Sequence, residues 1–166
     1  MARKTEHDEH CKSIAKRLDQ IVNGELFTDQ HGQEWTIYDN GEEFEEYITT
    51  EYRYNAEGLT RCEVIATSED GYTWTRDDDG EAVELEQMSL YDEFTDNIYN
   101  IEYRIADKYS DPSSVQLMIA CGGPNIYLDT KSGDVELYWW SESGRYPMSR
   151  EVVDALDEFA VELYNC

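Results

Sequence analysis

The sequence predicts an α+β protein in which two weakly repeated units, each a short helix followed by antiparallel strands, are flanked by an N-terminal and a C-terminal helix. Three observations lead there. Helical apolar spacing is confined to the two ends of the chain, short aromatic-rich runs punctuated by turn residues fill the interior, and two stretches of that interior echo each other. Strand runs with helices set apart from them imply antiparallel sheets covered by helices.

Residues 6–22 read as the first helix. Ile14, Leu18 and Ile21, with Ala15 and Val22, form one stripe, and Asn23-Gly24 supplies the stop. At the other end Ser149 has N-cap chemistry, and Glu151 and Asp154 sit where the helix dipole favours negative charge. Val152, Val153, Leu156, Phe159, Ala160 and Leu163 then keep helical spacing.

Between them, "IYDNGEEFEEYITTEYRY" is echoed by "LYDEFTDNIYNIEYRI", "CEVIATSEDGYTW" by "QLMIACGGPNIYL", and "VELE" by "VELY". The landmarks keep order and spacing: Tyr38 to Tyr91 is 53 positions, Glu51 to Glu102 is 51, Ala66 to Ala120 is 54, and Val83 to Val135 is 52. The chain therefore divides into 1–34 (helix and connector), 35–88 (first unit), 89–148 (second unit) and 149–166 (closing helix). The second unit is expected to hold a helix near 90–100 and strands near 101–106, 115–121, 126–129 and 135–140, with a hairpin turn at 131–134. The first is expected to hold a helix over "GEEFEEYI" and strands near 51–54, 62–67, 72–75 and 83–86, with a turn at Asp77-Asp78-Asp79-Gly80.

Length and composition favour a folded chain. At 166 residues it can bury a core, and 40% hydrophobic content with 13 Tyr and 4 Trp is too apolar for disorder. Charge is the dominant signal: 38 acidic against 13 basic residues give a net −25. Residues 39–103 hold 20 acidic and 3 basic residues, so the middle is the most negative part. Such a surface repels nucleic acid and anionic membranes and attracts cationic protein surfaces. The basic N-terminal stretch has no apolar segment behind it, and no apolar run approaches the ~20 residues of a membrane helix. Cys11, Cys62, Cys121 and Cys166 are scattered without CxxC spacing, so the expectation is a cytoplasmic protein with reduced thiols.

Four features invite chemistry. "TRDDDGEAVELE" resembles a calcium loop in its acid content, but its acids are consecutive, no helix pattern follows, and a hairpin turn accounts for it. His7, His10 and Cys11 stand at i, i+3 and i+4, as three transition-metal ligands on one helix face could. "CGGPN" (121–125) joins a thiol to a flexible pair of glycines, and a tight loop between strands explains it without reactivity. Paired carboxylates abound without one pair standing out, and no GxSxG, P-loop or GxGxxG is present. No catalytic residue, metal ligand or cofactor is assigned.

What remains is the acidic surface. Glu42, Glu43, Glu45 and Glu46 on one short helix, Asp77, Asp78 and Asp79 in a turn, and Asp92, Glu93 and Asp96 on the echoing helix are the candidate partner-binding residues. Tyr and Trp interleaved among them are residue types that anchor interfaces. Duplex DNA carries about one charge per 1.7 Å of axis, a density that rows of carboxylates can approach.

The stretch "CGGPNIYLDTKSGDVELYWW" followed by "YPMSREVVDALDEFAVELYN" resembles small proteins carried on mobile elements of Gram-positive bacteria, over roughly the last 50 residues. In size and charge the whole chain is similar to the acidic anti-restriction and anti-CRISPR inhibitors of phages and plasmids. That resemblance implies an inhibitor that blocks a nucleic-acid-binding defence effector, a CRISPR nuclease or a restriction enzyme, by nucleic-acid mimicry. Its partner would be a basic protein surface, with neither nucleic acid nor membrane bound directly. The alternatives are an immunity protein or antitoxin against a basic toxin, a metal-dependent enzyme using surface carboxylates or the His7/His10/Cys11 cluster, and acidity serving adaptation to salt.

Overall fold

Thr5 opens the first helix as a capping box: its hydroxyl accepts from the Asp8 amide while the Asp8 carboxylate accepts from the Thr5 amide. In the computed structural model, which describes residues 5–28, 31–32, 34–38, 52–55, 61–68, 71–76, 82–83 and 86–166, the helix α1 runs Glu6–Val22. There follow β1 (Leu26–Thr28), β2 (Glu34–Tyr38), β3 (Tyr52–Asn55), β4 (Arg61–Ser68), β5 (Gly71–Arg76), β6 (Ala82–Val83), β7 (Glu86–Gln87), α2 (Leu90–Phe94), β8 (Asn100–Arg104), β9 (Ser114–Ala120), β10 (Asn125–Asp129), β11 (Asp134–Trp139), β12 (Glu142–Pro147) and α3 (Arg150–Asn165). The class is α+β with antiparallel sheets and a helix at each end. The expected helix over 41–48 and the turn at 77–80 lie outside the described residues.

The elements gather into two units, Met1–Asn23 with Ser89–Cys166, and Gly24–Met88. The first joins both terminal helices to the second echo, and the second takes in β1 and β2. In the first unit the sheet order is β12-β11-β10-β9-β8, a simple antiparallel meander. Its inward-facing alternate residues Val115, Leu117, Ile126, Leu128, Val135 and Leu137 are all buried. Leu18 of α1 and Val152, Leu156, Phe159 and Ala160 of α3 complete the core with them. Ser149 caps α3, its hydroxyl accepting from the Val152 amide at 3.2 Å and donating to Asp19 of α1 at 2.5 Å.

Two expectations shift in detail. The buried stripe of α1 is Cys11, Ala15, Leu18 and Ile21, with Ile14 at its margin, so the thiol belongs to the core face. The closing strand β12, over "ESGRYP", is additional to the strands expected for the second unit. Its Gly144 is where α1 crosses: a Cβ there would stand 2.5 Å from the His7 carbonyl carbon and 2.6 Å from the His7 Cβ. Pro147 is tolerated because β12 is an edge strand.

In the second unit the order is β6-β5-β4-β3-β2-β1-β7, every pair antiparallel. Val83 and Glu86 are three residues apart, so their Cα atoms lie within about 11 Å, yet β6 and β7 hold opposite ends of that order. The single strand expected at 83–86 is therefore divided between two partners, β6 pairing with β5 and β7 with β1.

The two meanders share a ladder. Cys62 pairs with Arg76, Val64 with Trp74 and Ala66 with Thr73, skipping Ile65. Gln116 pairs with Asp129, Met118 with Tyr127 and Ala120 with Ile126, skipping Ile119. The bulge falls at the same place in both, 54 positions apart on the first strand of each pair. One strand earlier, Glu63 faces Tyr52 and Leu117 faces Ile101, an offset of 49 where the matching letters gave 51. The slip is two residues.

Gly144→Ala should lower stability by about 1–3 kcal/mol, since the added methyl meets helix backbone that cannot move alone. Gly123→Ala, whose Cβ meets only Trp139 at 3.7 Å, should stay within about 0.5 kcal/mol of wild type. Urea unfolding midpoints of the full chain compare the two, and equal midpoints would contradict the close crossing of α1 over β12.

Candidate functional site: acidic helix face and aromatic hairpin

Of the acidic residues singled out from the sequence, Glu42, Glu43, Glu45, Glu46, Asp77, Asp78 and Asp79 lie outside the described residues. Asp92, Glu93 and Asp96 are described, and they differ. Asp92 closes a capping box on α2, accepting from the Ser89 amide at 2.8 Å and the Ser89 hydroxyl at 2.6 Å, and those hydrogen bonds hold its carboxyl below the usual range. Glu93 receives a two-pronged hydrogen bond from Arg17 of α1 at 2.9 and 2.8 Å and is only 18% exposed. Asp96 is exposed. Two of the three thus serve the fold locally, a use their letters do not reveal.

The histidine–cysteine group does not converge on an ion. Cys11 is fully buried, and desolvation followed by the nearby Asp8 charge pushes its thiol up to about 11. His7 points elsewhere, its Nε2 2.8 Å from a Glu142 carboxylate oxygen. Among the described residues no group of three or more His, Cys, Asp or Glu is placed to hold a metal ion, and no helix is long and apolar enough to cross a membrane. Cys121 is exposed in its loop.

A row of carboxylates does appear on α3. Glu151, Asp154, Glu158 and Glu162 are all exposed, and at 100° per residue they fall within an arc of about 80° along some 16 Å of helix. Arg150 touches this row through a loose, solvated contact with Asp154 at 3.8 Å, and Tyr91 donates its phenolic proton to Glu162. Spacings of three and four residues hold the signal in the sequence, where Glu151 and Asp154 were read only as complements to the helix dipole.

On the sheet face away from the helices, buried charges are paired. Arg104 grips Asp129 at 2.9 and 2.7 Å, and Asp129 also accepts from the Lys131 and Ser132 amides and the Gln116 amide group. Arg145 meets Glu136 at 2.8 Å and Asp134 at 3.4 Å, and the Tyr138 hydroxyl donates to Glu136 at 2.9 Å. Burial alone would raise the Asp129 carboxyl, but the Arg104 hydrogen bond and the two turn amides outweigh it and hold it below its ordinary value. A depressed folded value contributes stability that is complete above the unfolded carboxylate value, near 3.9, and is lost as pH falls through the folded one. Asp129→Asn should therefore be less stable at neutral pH, and the gap to wild type should close as pH drops below about 4. Chemical unfolding across that range measures it, and a gap independent of pH would contradict the assignment.

Two concavities open in the first unit. One, of about 390 Å³, is largely apolar, with Phe94, Ile98, Ile101, Phe159 and Leu163 among its walls beside the exposed Tyr91 and Tyr99. The other, of about 300 Å³, brings together features scattered in the sequence: Glu6, His7 and His10 from α1, Pro124 from the 121–125 loop, and Leu137 and Trp139 from β11. Next to it Trp140 begins the two-residue turn between Trp139 and Glu142, 92% exposed and at φ 53°, with its ring perpendicular to that of Trp139. A positive φ at the first central position of such a turn favours glycine, and a bulky residue there carries strain of about 1–3 kcal/mol. Trp140→Gly should raise the thermal midpoint by about 2–4 °C, the gain from strain relief exceeding the extra chain entropy of glycine. Calorimetry of the full chain reads this, and a lowered midpoint would contradict the strain.

No family model, no curated protein and no solved structure matches this chain.

Proposed function

We propose that this protein acts by binding, as an acidic inhibitor that occupies the cationic groove of a nucleic-acid-binding defence effector of the CRISPR-nuclease or restriction-enzyme kind. The observation that carries the reading is the exposed carboxylate row Glu151, Asp154, Glu158 and Glu162 on α3, in a chain of net charge −25. Successive members rise about 4.5–6 Å along the helix, the same order as the ~3.4 Å rise between phosphates along one DNA strand. Of the residues chosen from the sequence, Asp96 is exposed and can join such a surface, while the residues at 42–46 and 77–79 enter the proposal through their charge alone. The protein would act in the cytoplasm, where such effectors work, and would touch neither nucleic acid nor membrane itself. Electrostatic steering would make its association fast and dependent on ionic strength.

The test is competition. Titrated against a panel of purified restriction endonucleases and CRISPR nucleases with labelled DNA, the chain should displace DNA from at least one at near-stoichiometric concentration. A variant carrying Glu151→Gln, Asp154→Asn, Glu158→Gln and Glu162→Gln should lose about tenfold or more in that potency. DNA binding and cleavage unchanged across the panel at molar excess would overturn the reading.

A further inference from the structure

We propose that the pocket beside the Trp139–Trp140 turn receives an arginine side chain of the partner protein, with Trp140 as the anchoring contact. This rests on the reading that the partner is a basic protein. It adds one specific point of recognition to what is otherwise a diffuse field.

The pocket has the chemistry a guanidinium needs. Pro124 and the Trp139 ring provide an apolar floor above the buried Leu137, and His7, His10 and Glu6 supply a polar wall. Glu142 stands at the other side of His7, its side chain 69% exposed and its second carboxylate oxygen open to a further donor. A planar cation can stack on an indole face while its edge donates to carboxylates, which a compact ammonium does less well. Negative charge at Glu6 and Glu142 disfavours an anionic guest, and a purely apolar one would offer those carboxylates no donor in place of water.

The walls are held in advance. Gly144 lets α1 lie against β12 at His7, the Asp8 carboxylate accepts from the Arg145 amide at 2.9 Å, and His7 meets Glu142 at 2.8 Å. A guest therefore need not order the site on arrival. Trp140 gives the second line of support. It is 92% exposed and in a backbone conformation suited to glycine, so apart from its edge contact with Trp139 the indole there serves the fold little. Strained, exposed residues of this kind cluster at recognition sites, and Trp and Arg are among the residues that dominate interface energetics. The larger apolar concavity near Phe159 has no comparable mark of what would cover it.

The experiment uses the full chain, ¹⁵N-labelled, with capped hexa-arginine as the probe and hexa-lysine as the comparison. The indole N–H resonances of Trp139 and Trp140 should shift with hexa-arginine and move less with hexa-lysine. Trp140→Gly, which keeps or improves the fold, and Glu142→Gln should each weaken hexa-arginine binding by roughly tenfold or more. The fourfold amide variant of α3 should reduce the salt dependence of binding and leave the indole shifts in place. Binding of hexa-arginine that depends on α3 but is indifferent to Trp140 and Glu142, with both indoles unmoved, overturns the arginine pocket and leaves the acidic-surface reading standing. No binding at low salt counts against both.

Discussion

The apolar face of the five-stranded sheet has to be covered, and the chain covers it with helices drawn from its two ends. Leu18 of α1 and Leu156 of α3 meet over Leu117, Leu128 and Leu137, all with almost no exposure. Each such side chain is worth about 1.5–3 kcal/mol when removed from water, so the layer carries much of this unit's stability. The contacts are also long in sequence: Asp19 on α1 is tied to Ser149 at the head of α3. Coverage at that separation costs loop-closure entropy before it returns any burial, so the unit is expected to form cooperatively. The functional geometry inherits this constraint, because the pocket at the Trp139–Trp140 turn exists only where α1 lies across β12 at Gly144.

What could be read from the sequence was what is decided locally. Helix α1 ends where Asn23-Gly24 says it should, and Ser149 caps α3 as its chemistry indicates. Most strands fall within a residue or two of the expected runs, and the echo between the two meanders extends to the position of a bulge. Tertiary context decided the rest. Cys11 was grouped with His7 and His10 because three polar letters shared a helix face, but the sheet selects the face on which Cys11, Ala15 and Leu18 align. Strand β12 carries Ser, Gly and Pro because an edge strand crossed by a helix needs a residue without a side chain more than it needs β propensity. The run 83–86 reads as one strand, and only its pairing with two different strands, β5 and β1, divides it.

The candidate site shows the same division. Counting charge finds an acidic protein, and it cannot tell a carboxylate that caps a helix, as Asp92 does, or pairs with a half-buried arginine, as Glu93 does, from one presented to solvent. The distinction matters for recognition, since paired and hydrogen-bonded carboxylates add little to the outward field. Those turned to solvent, as Glu151 and Glu158 of α3 are, define a surface. Trp140 is legible only from the backbone, because nothing in "YWWSES" announces a turn, and its φ of 53° is what sets it apart from an ordinary exposed aromatic.

The central claim is that this solvent-facing negative surface recognises a positively charged protein and does more than keep the chain in solution. The most direct measurement is the association rate constant with an inhibited nuclease, followed by stopped flow across roughly a tenfold range of ionic strength. The account predicts a steep fall in association rate with added salt, with dissociation changing less, and a flatter dependence when the α3 carboxylates are replaced by amides. Association that is slow at low salt and indifferent to ionic strength would contradict it.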